Sequence, residues 1–357
     1  MHQLKKLLMV GGIAAAAVGV MASQALAEPT STPPATDLVA VGSDTTQAVS
    51  DQFQTDYNTS HTPKYWSYDA VPAGNVTPKT GCASIVRPNG SGAGIAELAK
   101  NLHPTGDSTN FCVDVARSSR DKQASDPAGL TWVPFARDGV TWSANSTTNA
   151  PTSLTKAQLL AIYQCDDTAL GGAGDPVTWD EVSGTGSDAV VPVLPQASSG
   201  TRAFFLQSIG IDATHPLGSC VQPGGAPGGT NTTPEENEGT DPIFANGDAA
   251  NEVFPYSIAV YLAQTVHNHG AGNQGNLVLH SVNGASPTTS SAINTSFPFL
   301  RLVYNVVRGS GTVPANLQTL IGTGPGTGWI CTSGSADISD FGFLPLGANC
   351  GDLSDHT

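Results

Sequence analysis

Charge is scarce in this 357-residue chain: Asp, Glu, Lys and Arg make up 12% of it, against about 25% in an average soluble protein. Basic residues are scarcest, 14 against 29 acidic ones, giving a net charge of −15 and a pI near 4.6. That balance excludes the basic footprint of a nucleic-acid binder and argues against docking on anionic lipid. No Cys-x-x-Cys pair occurs, which removes the usual zinc and thioredoxin signatures. Gly-x-Ser-x-Gly, the strained elbow of α/β hydrolases, is also missing. No solenoid period, heptad run or collagen repeat is present, and only one long apolar stretch exists, at the start of the chain. A length of 357 residues suggests two domains and is ample for a sizeable core.

That apolar stretch is read as a targeting segment. Lys5 and Lys6 precede Leu7 to Met21, and Ala25-Leu26-Ala27 supplies small residues for a signal-peptidase cut after Ala27. The run is short for a spanning helix, which needs about 20 residues. No cysteine follows it directly, so no lipid anchor is expected. Loss of Lys5 and Lys6 would take the net charge from −15 to −17. The expectation is an exported protein, periplasmic or extracellular, with residues 1–27 a signal peptide and 28–36 a flexible leader.

In an exported chain, six cysteines read as disulfides. Fifteen pairings are possible; sequence neighbours are expected to join, Cys82 with Cys112, Cys165 with Cys220, and Cys331 with Cys350.

Beyond the leader, one pattern recurs: a short apolar run, a small polar turn, then a helical segment. Leu38 to Val41 precedes Ser43-Asp44-Thr45-Thr46 and a helix over Gln47 to Tyr57. Ser84 to Val86 precedes Pro88-Asn89-Gly90-Ser91-Gly92-Ala93-Gly94 and a helix over Ile95 to Leu102. Val113 to Ala116 leads into Ser118-Ser119, and Val190 to Leu194 into Ser198-Ser199-Gly200-Thr201 and a helix over Ala203 to Ile209. This alternation predicts an α/β protein with parallel strands. Further helices are expected over Thr155 to Tyr163 and, capped by Ser257, over Ile258 to Val266; a strand is expected over Leu300 to Val307. Pro223 to Asp248, rich in Gly, Thr, Asn and acidic residues, is expected to be a surface excursion. A helix N-terminus carries free N–H groups and about half a positive charge. Several such turns meeting at strand ends would hold a small oxyanion without any lysine.

The same residues resemble, in order, the periplasmic phosphate-binding proteins of ABC importers. Ser198-Ser199-Gly200-Thr201 with Phe204-Phe205 is similar to that family's Ser-Gly-Thr turn and aromatic helix. Val41 to Thr46, Gly90 to Gly94 and Ala116 to Ser119 are similar to its first, second and third turns. Phe341 to Leu346 is similar to its closing segment, and Asn251 to Gln264 to its Tyr-Ser helix start. The resemblance implies a two-lobed type 2 binding-protein fold with two interlobe crossovers, near Pro134 to Trp142 and Phe297 to Arg301. Lobe 1 would comprise residues 37–137 plus 300–357, and lobe 2 residues 138–299. Closure on the ligand would present a surface to a membrane permease.

The ligand set implied is Asp44, Thr45, Thr46, Ser91, Gly92, Arg117, Ser118, Ser119, Ser199, Gly200, Thr201 and Arg202, with Arg120 a further source of charge. Two positions depart from the family. Pro195 stands where it has an arginine, and Ser119 where it has the carboxylate that accepts a proton from phosphate; Asp44 or Asp121 could substitute. The expected function is capture of an inorganic oxyanion, phosphate first, for an ABC importer, by a non-catalytic monomer with no cofactor, metal or nucleic acid. The alternative is a secreted surface or matrix protein that keeps the fold without transport. Other features are expected to be structural: His267-Asn268-His269 a polar helix end, Asp166-Asp167 and Glu235 to Glu238 solvated loops, Trp179 a loop-packing side chain, and Arg137-Asp138-Gly139 a turn at a crossing.

Overall fold

The computed structural model describes residues 28–222, 233–245 and 247–354. The expected signal peptide lies outside the described residues, as does part of the 223–248 segment. Among the described residues no helix is long and apolar enough to cross a membrane.

Strand Leu38–Gly42 is buried along its whole length, as its unbroken apolar run requires. It pairs in parallel with Tyr65–Ser67 on one side and Val115–Ser118 on the other. Two long strands then organise the molecule. Leu130–Asn145, 16 residues, pairs antiparallel with Leu300–Arg308 through its first part and with Glu252–Ser257 and Leu277–Leu279 through its second. Val191–Pro192 lies parallel to Glu252–Ser257. The product is a nine-stranded mixed sheet, not a wholly parallel one. Leu300–Arg308 enters the sheet opposite Gly139 and runs back to Leu130, so it pairs antiparallel with the first part of the long strand. Both segments expected to cross between lobes fall in or at the start of these two strands. Their register sets Asp138 opposite Arg301.

The expected helices form with small shifts of boundary. Helix Gln47–Tyr57 buries Val49, Phe53 and Tyr57, four residues apart along one face, and Phe53 meets Phe135 and Trp329 edge-on at 5.9 Å. Helix Ser91–Ala99 begins earlier than its apolar run, so Ser91 lies in its first turn. Thr155 and Gln158 form a reciprocal capping box on Lys156–Gln164. Ser199 caps Gly200–Ile209 and Ser257 caps Ile258–Thr265, each accepting a backbone N–H, worth about 1 kcal/mol apiece. Phe205 packs edge-on against Tyr163 at 5.3 Å, both fully buried.

All three expected disulfides are present, spanning 30, 55 and 19 residues. Loops of that size contribute about 3 to 4 kcal/mol each in the chain-entropy account. Trp179 is buried and donates to Asn251 Oδ1, pinning its loop as expected. His269 Nε2 donates to Asp340 Oδ2 at 2.8 Å, and its ring stacks on Phe341. Asp167 differs from the solvated loop expected: it is buried and accepts from the N–H groups of Gly174 and Asp175.

Candidate anion-binding site

The polar turns expected from the sequence do meet. Helices Gln47–Tyr57, Ser91–Ala99 and Gly200–Ile209 bring their N-terminal turns to one point beside the end of strand Val115–Ser118. Close backbone approach makes this possible. A Cβ on Gly200 would fall 2.3 Å from both Ser91 Oγ and Ser119 Oγ, so only glycine admits those hydroxyls. Gly90, at φ +99°, faces Ser198, and a Cβ there would fall 2.5 Å from its carbonyl oxygen.

The hydroxyls form a connected buried set. Ser119 N–H donates to Ser91 Oγ at 3.0 Å, Ser43 Oγ donates to Ser119 Oγ at 3.0 Å, and Thr45 and Thr201 share a hydrogen bond of 3.1 Å. At its centre lies a carboxylate that was expected to be in solvent. Glu236 is 0% exposed. Its Oε1 accepts from Thr45 Oγ1 at 2.6 Å and from Thr201 N–H at 3.1 Å, with Ser119 Oγ at 3.5 Å. The solvated-loop reading of Glu235 to Glu238 is therefore corrected. The loop folds inward because its polar groups find partners there. Asn89 Nδ2 donates to Glu235 Oε2 at 2.7 Å, Asn237 Oδ1 accepts from Ser257 N–H at 3.0 Å, and the Asn237 carbonyl accepts from Tyr256 Oη and Gln264 Nε2.

Arg301 supplies the cation at this cluster. It is 3% exposed; its Nε and Nη2 donate to Asp138 Oδ2 at 3.0 and 2.8 Å, and Nη2 also donates to Thr201 Oγ1 at 2.9 Å. Asp138, 0% exposed, accepts in addition from Ser257 Oγ and Ala259 N–H. Both residues escaped the sequence reading, which treated Asp138 as a turn residue and Arg301 as a crossing marker. One signal was available for Arg301: it is a charge set between Leu300 and Leu302 in an otherwise apolar run, and a charge buried there must be paired.

The arginines that were expected to serve the anion point elsewhere. Arg117 is buried with its guanidinium on Ser43 O, Ser67 Oγ and Tyr68 O. Arg202 donates to Pro195 O at 2.9 Å, and Arg120 forms a two-pronged pair with Asp126. Ser118 Oγ donates to Arg120 O, Ser199 Oγ caps its helix, and Gly92 N–H donates to Ser198 O. Thr45, Ser91, Ser119, Gly200 and Thr201 come together at the cluster, with Thr46 adjoining in the first turn. Asp44 lies at its edge, where Asn237 Nδ2 reaches its Oδ2 at 3.3 Å.

The electrostatics are acidic. Burial, then Glu236 and Glu238 nearby, push the Asp44 carboxyl well above the usual carboxylate range. Burial, then Asp241, raise Glu238 to about 7. A cavity of about 170 Å³ adjoins the cluster, lined by Asp44, Thr45, Asn237, Glu238 and Gln264 among others. Thr46 Oγ1, Glu236 Oε2 and Arg301 Nη1 are buried without a hydrogen-bond partner among the described residues. Convergent hydroxyls, helix N-termini and one paired cation suit a small oxyanion held by hydrogen bonds more than by charge.

Known proteins fit this architecture. A structure of a candidate phosphate ABC transporter substrate-binding protein with bound phosphate from Clostridium perfringens is 17% identical. It aligns over 87% of this chain and 99% of its own, with a TM-score of 0.55. An ABC-type phosphate transport receptor from Vibrio cholerae is 18% identical over 86% and 99%, with a TM-score of 0.53. At such identities the likeness is one of fold, and that fold is the expected two-lobed type 2 architecture. No curated protein matches the chain. The model of the PBP superfamily domain matches residues 27–314, most of the chain, and the chain belongs to that superfamily.

Proposed function

We infer that the protein is an extracytoplasmic substrate-binding protein that captures an inorganic oxyanion, phosphate first, for an ABC importer. One observation carries the reading: a carboxylate oxygen, itself an oxyanion, is held by donors from separate turns at two helix N-termini and a strand end. Thr45, Thr46, Ser91, Ser119, Thr201 and Arg301 are the assigned donors, and Gly200 makes room for them. Phosphate in the Clostridium perfringens structure and the transport role of the Vibrio cholerae receptor support the choice of ligand and partner.

Lobes at residues 37–137 plus 300–357 and at 138–299 would close on the anion and present a surface to the permease. The segment 28–36 would lead from a signal peptide cut after Ala27, without a lipid anchor, and the exported protein would act as a monomer. The test is isothermal titration calorimetry at pH 7 on the protein from residue 28, stripped of anion, with phosphate and then sulfate. Micromolar or tighter phosphate binding that sulfate does not match is the expected result. Absence of heat with both anions would refute it.

A further inference from the structure

The same observation bears on how the site is regulated, an argument that rests on the oxyanion reading above. Glu236 uses the donors that a captured anion would need: the Thr45 hydroxyl, the Thr201 N–H and, at longer range, the Ser119 hydroxyl all converge on its Oε1. A carboxylate that helped to bind phosphate, by accepting its proton, would stand beside the donors and leave them free. This one occupies them.

We propose that Glu236 is a tethered competitor: its carboxylate fills the oxyanion position of the anion-free protein, and an incoming anion must displace it. Three features of the cluster agree. The first is incomplete satisfaction, since Glu236 Oε2 is buried without a partner among the described residues. A carboxylate with one oxygen held and one orphaned is a poor permanent occupant. The second is that the leftover donors match a larger ion. Thr46 Oγ1 adjoins Thr45, Arg301 Nη1 is the other arm of the guanidinium on Thr201, and both are buried without a hydrogen-bond partner among the described residues. A tetrahedral anion with four oxygens can engage such donors where two carboxylate oxygens cannot.

The third feature is charge. Asp44 lies close enough to feel both Glu236 and Glu238, and the Arg301 charge is already paired with Asp138. Adding an anion beside Glu236 would stack like charges at a site whose guanidinium is already paired, whereas exchanging one anion for the other keeps the balance.

The loop is positioned for such an exchange. Its neighbours Glu235 and Asn237 are fastened to Asn89, Ser257, Tyr256 and Gln264. The side chain of Glu236 is therefore presented at a fixed place, with the high effective concentration of an intramolecular group. Affinity for external anion is then lowered by the fraction of molecules in which Glu236 is seated, which makes the tether a threshold device.

Phosphate and sulfate titrations of wild type, Glu236→Ala and Glu236→Gln at pH 7 decide the matter. Expected is phosphate binding at least tenfold tighter in Glu236→Ala than in wild type, with Glu236→Gln shifted the same way. Equal or weaker binding by both variants, with wild type binding normally, overturns the competitor while leaving oxyanion capture intact. No binding by any of the three overturns both, so the two failures are distinguishable. Should the variants not fold, the carbon-13 resonance of the Glu236 side-chain carboxyl in wild type gives the answer. A shift of that resonance on adding phosphate supports displacement, and an unmoved resonance overturns it.

Discussion

The ion pair between Asp138 and Arg301 offers the sharpest test of how the two long strands are held together behind the site. Register sets the residues opposite each other, and both are almost wholly buried, with contacts of 2.8 and 3.0 Å. At about 3 Å and an effective dielectric of about 20, the attraction is roughly 5 to 6 kcal/mol. Desolvation, several kcal/mol per ion, offsets most of it. The pair as a whole therefore adds little net stability, but removing one partner strands the other. Arg301→Met should destabilise the protein by about 3 to 5 kcal/mol, because Asp138 would keep only Ser257 Oγ and the Ala259 N–H. Asp138→Asn should cost a similar amount. The double variant should cost clearly less than the sum, with a coupling of at least about 2 kcal/mol. Urea unfolding of the oxidised protein, followed by tryptophan fluorescence, measures all four corners of the cycle. A single-variant loss below about 1 kcal/mol, or simple additivity, would refute the reasoning.

Other consequences concern the site itself. Thr201→Val removes the hydroxyl shared by Thr45 and Arg301 and should weaken phosphate binding by at least about 1 kcal/mol, roughly fivefold or more; unchanged calorimetric affinity would take that turn out of the site. Gly200→Ala drives a methyl against Ser91 Oγ and Ser119 Oγ; a destabilisation of about 1 to 3 kcal/mol together with lost anion binding is expected. Stability should also fall as pH rises from about 4.5 to 7. Glu238 holds its proton more tightly when folded, so its penalty is absent below the ordinary 4.5 and complete above about 7. That contribution is at most about 3 kcal/mol. Thermal melts at pH 5 and 7.5 should show the drop, and Glu238→Gln should flatten part of it; a slope unchanged by the substitution would contradict the assignment.

Much of the fold could be read in advance because its elements are locally encoded. Leu38 to Gly42 is apolar throughout, Ser199 and Ser257 are N-caps by type and position, and sequence-neighbour cysteines joined as expected. Strand direction was less legible. Nothing within Leu300 to Arg308 states that it returns antiparallel, since that depends on where the chain enters the sheet. Hydroxyl turns were legible because Ser, Thr and Gly before a helix have a backbone reason to be there. Charged partners were not, because an arginine side chain reaches far enough to serve whichever neighbour tertiary packing supplies. Arg117, Arg120 and Arg202 all lie within or next to the turns, yet each is turned away onto other groups.

Glu236 marks the limit of reading by composition. A run of Glu, Glu, Asn and Glu amid glycine and threonine is solvated in most contexts, because burying a carboxylate is costly unless donors await it. Here donors do await it, but they come from Thr45, Ser119 and Thr201, between 35 and 191 residues away along the chain. The clue lies in the site and not in the loop. Buried hydroxyls and N–H groups converging on one point need an acceptor, and a protein that captures anions faces that need whenever no anion is bound. An internal carboxylate answers it. The acidic loop that composition assigns to solvent is thus drawn inward by donors that the loop's own sequence does not reveal.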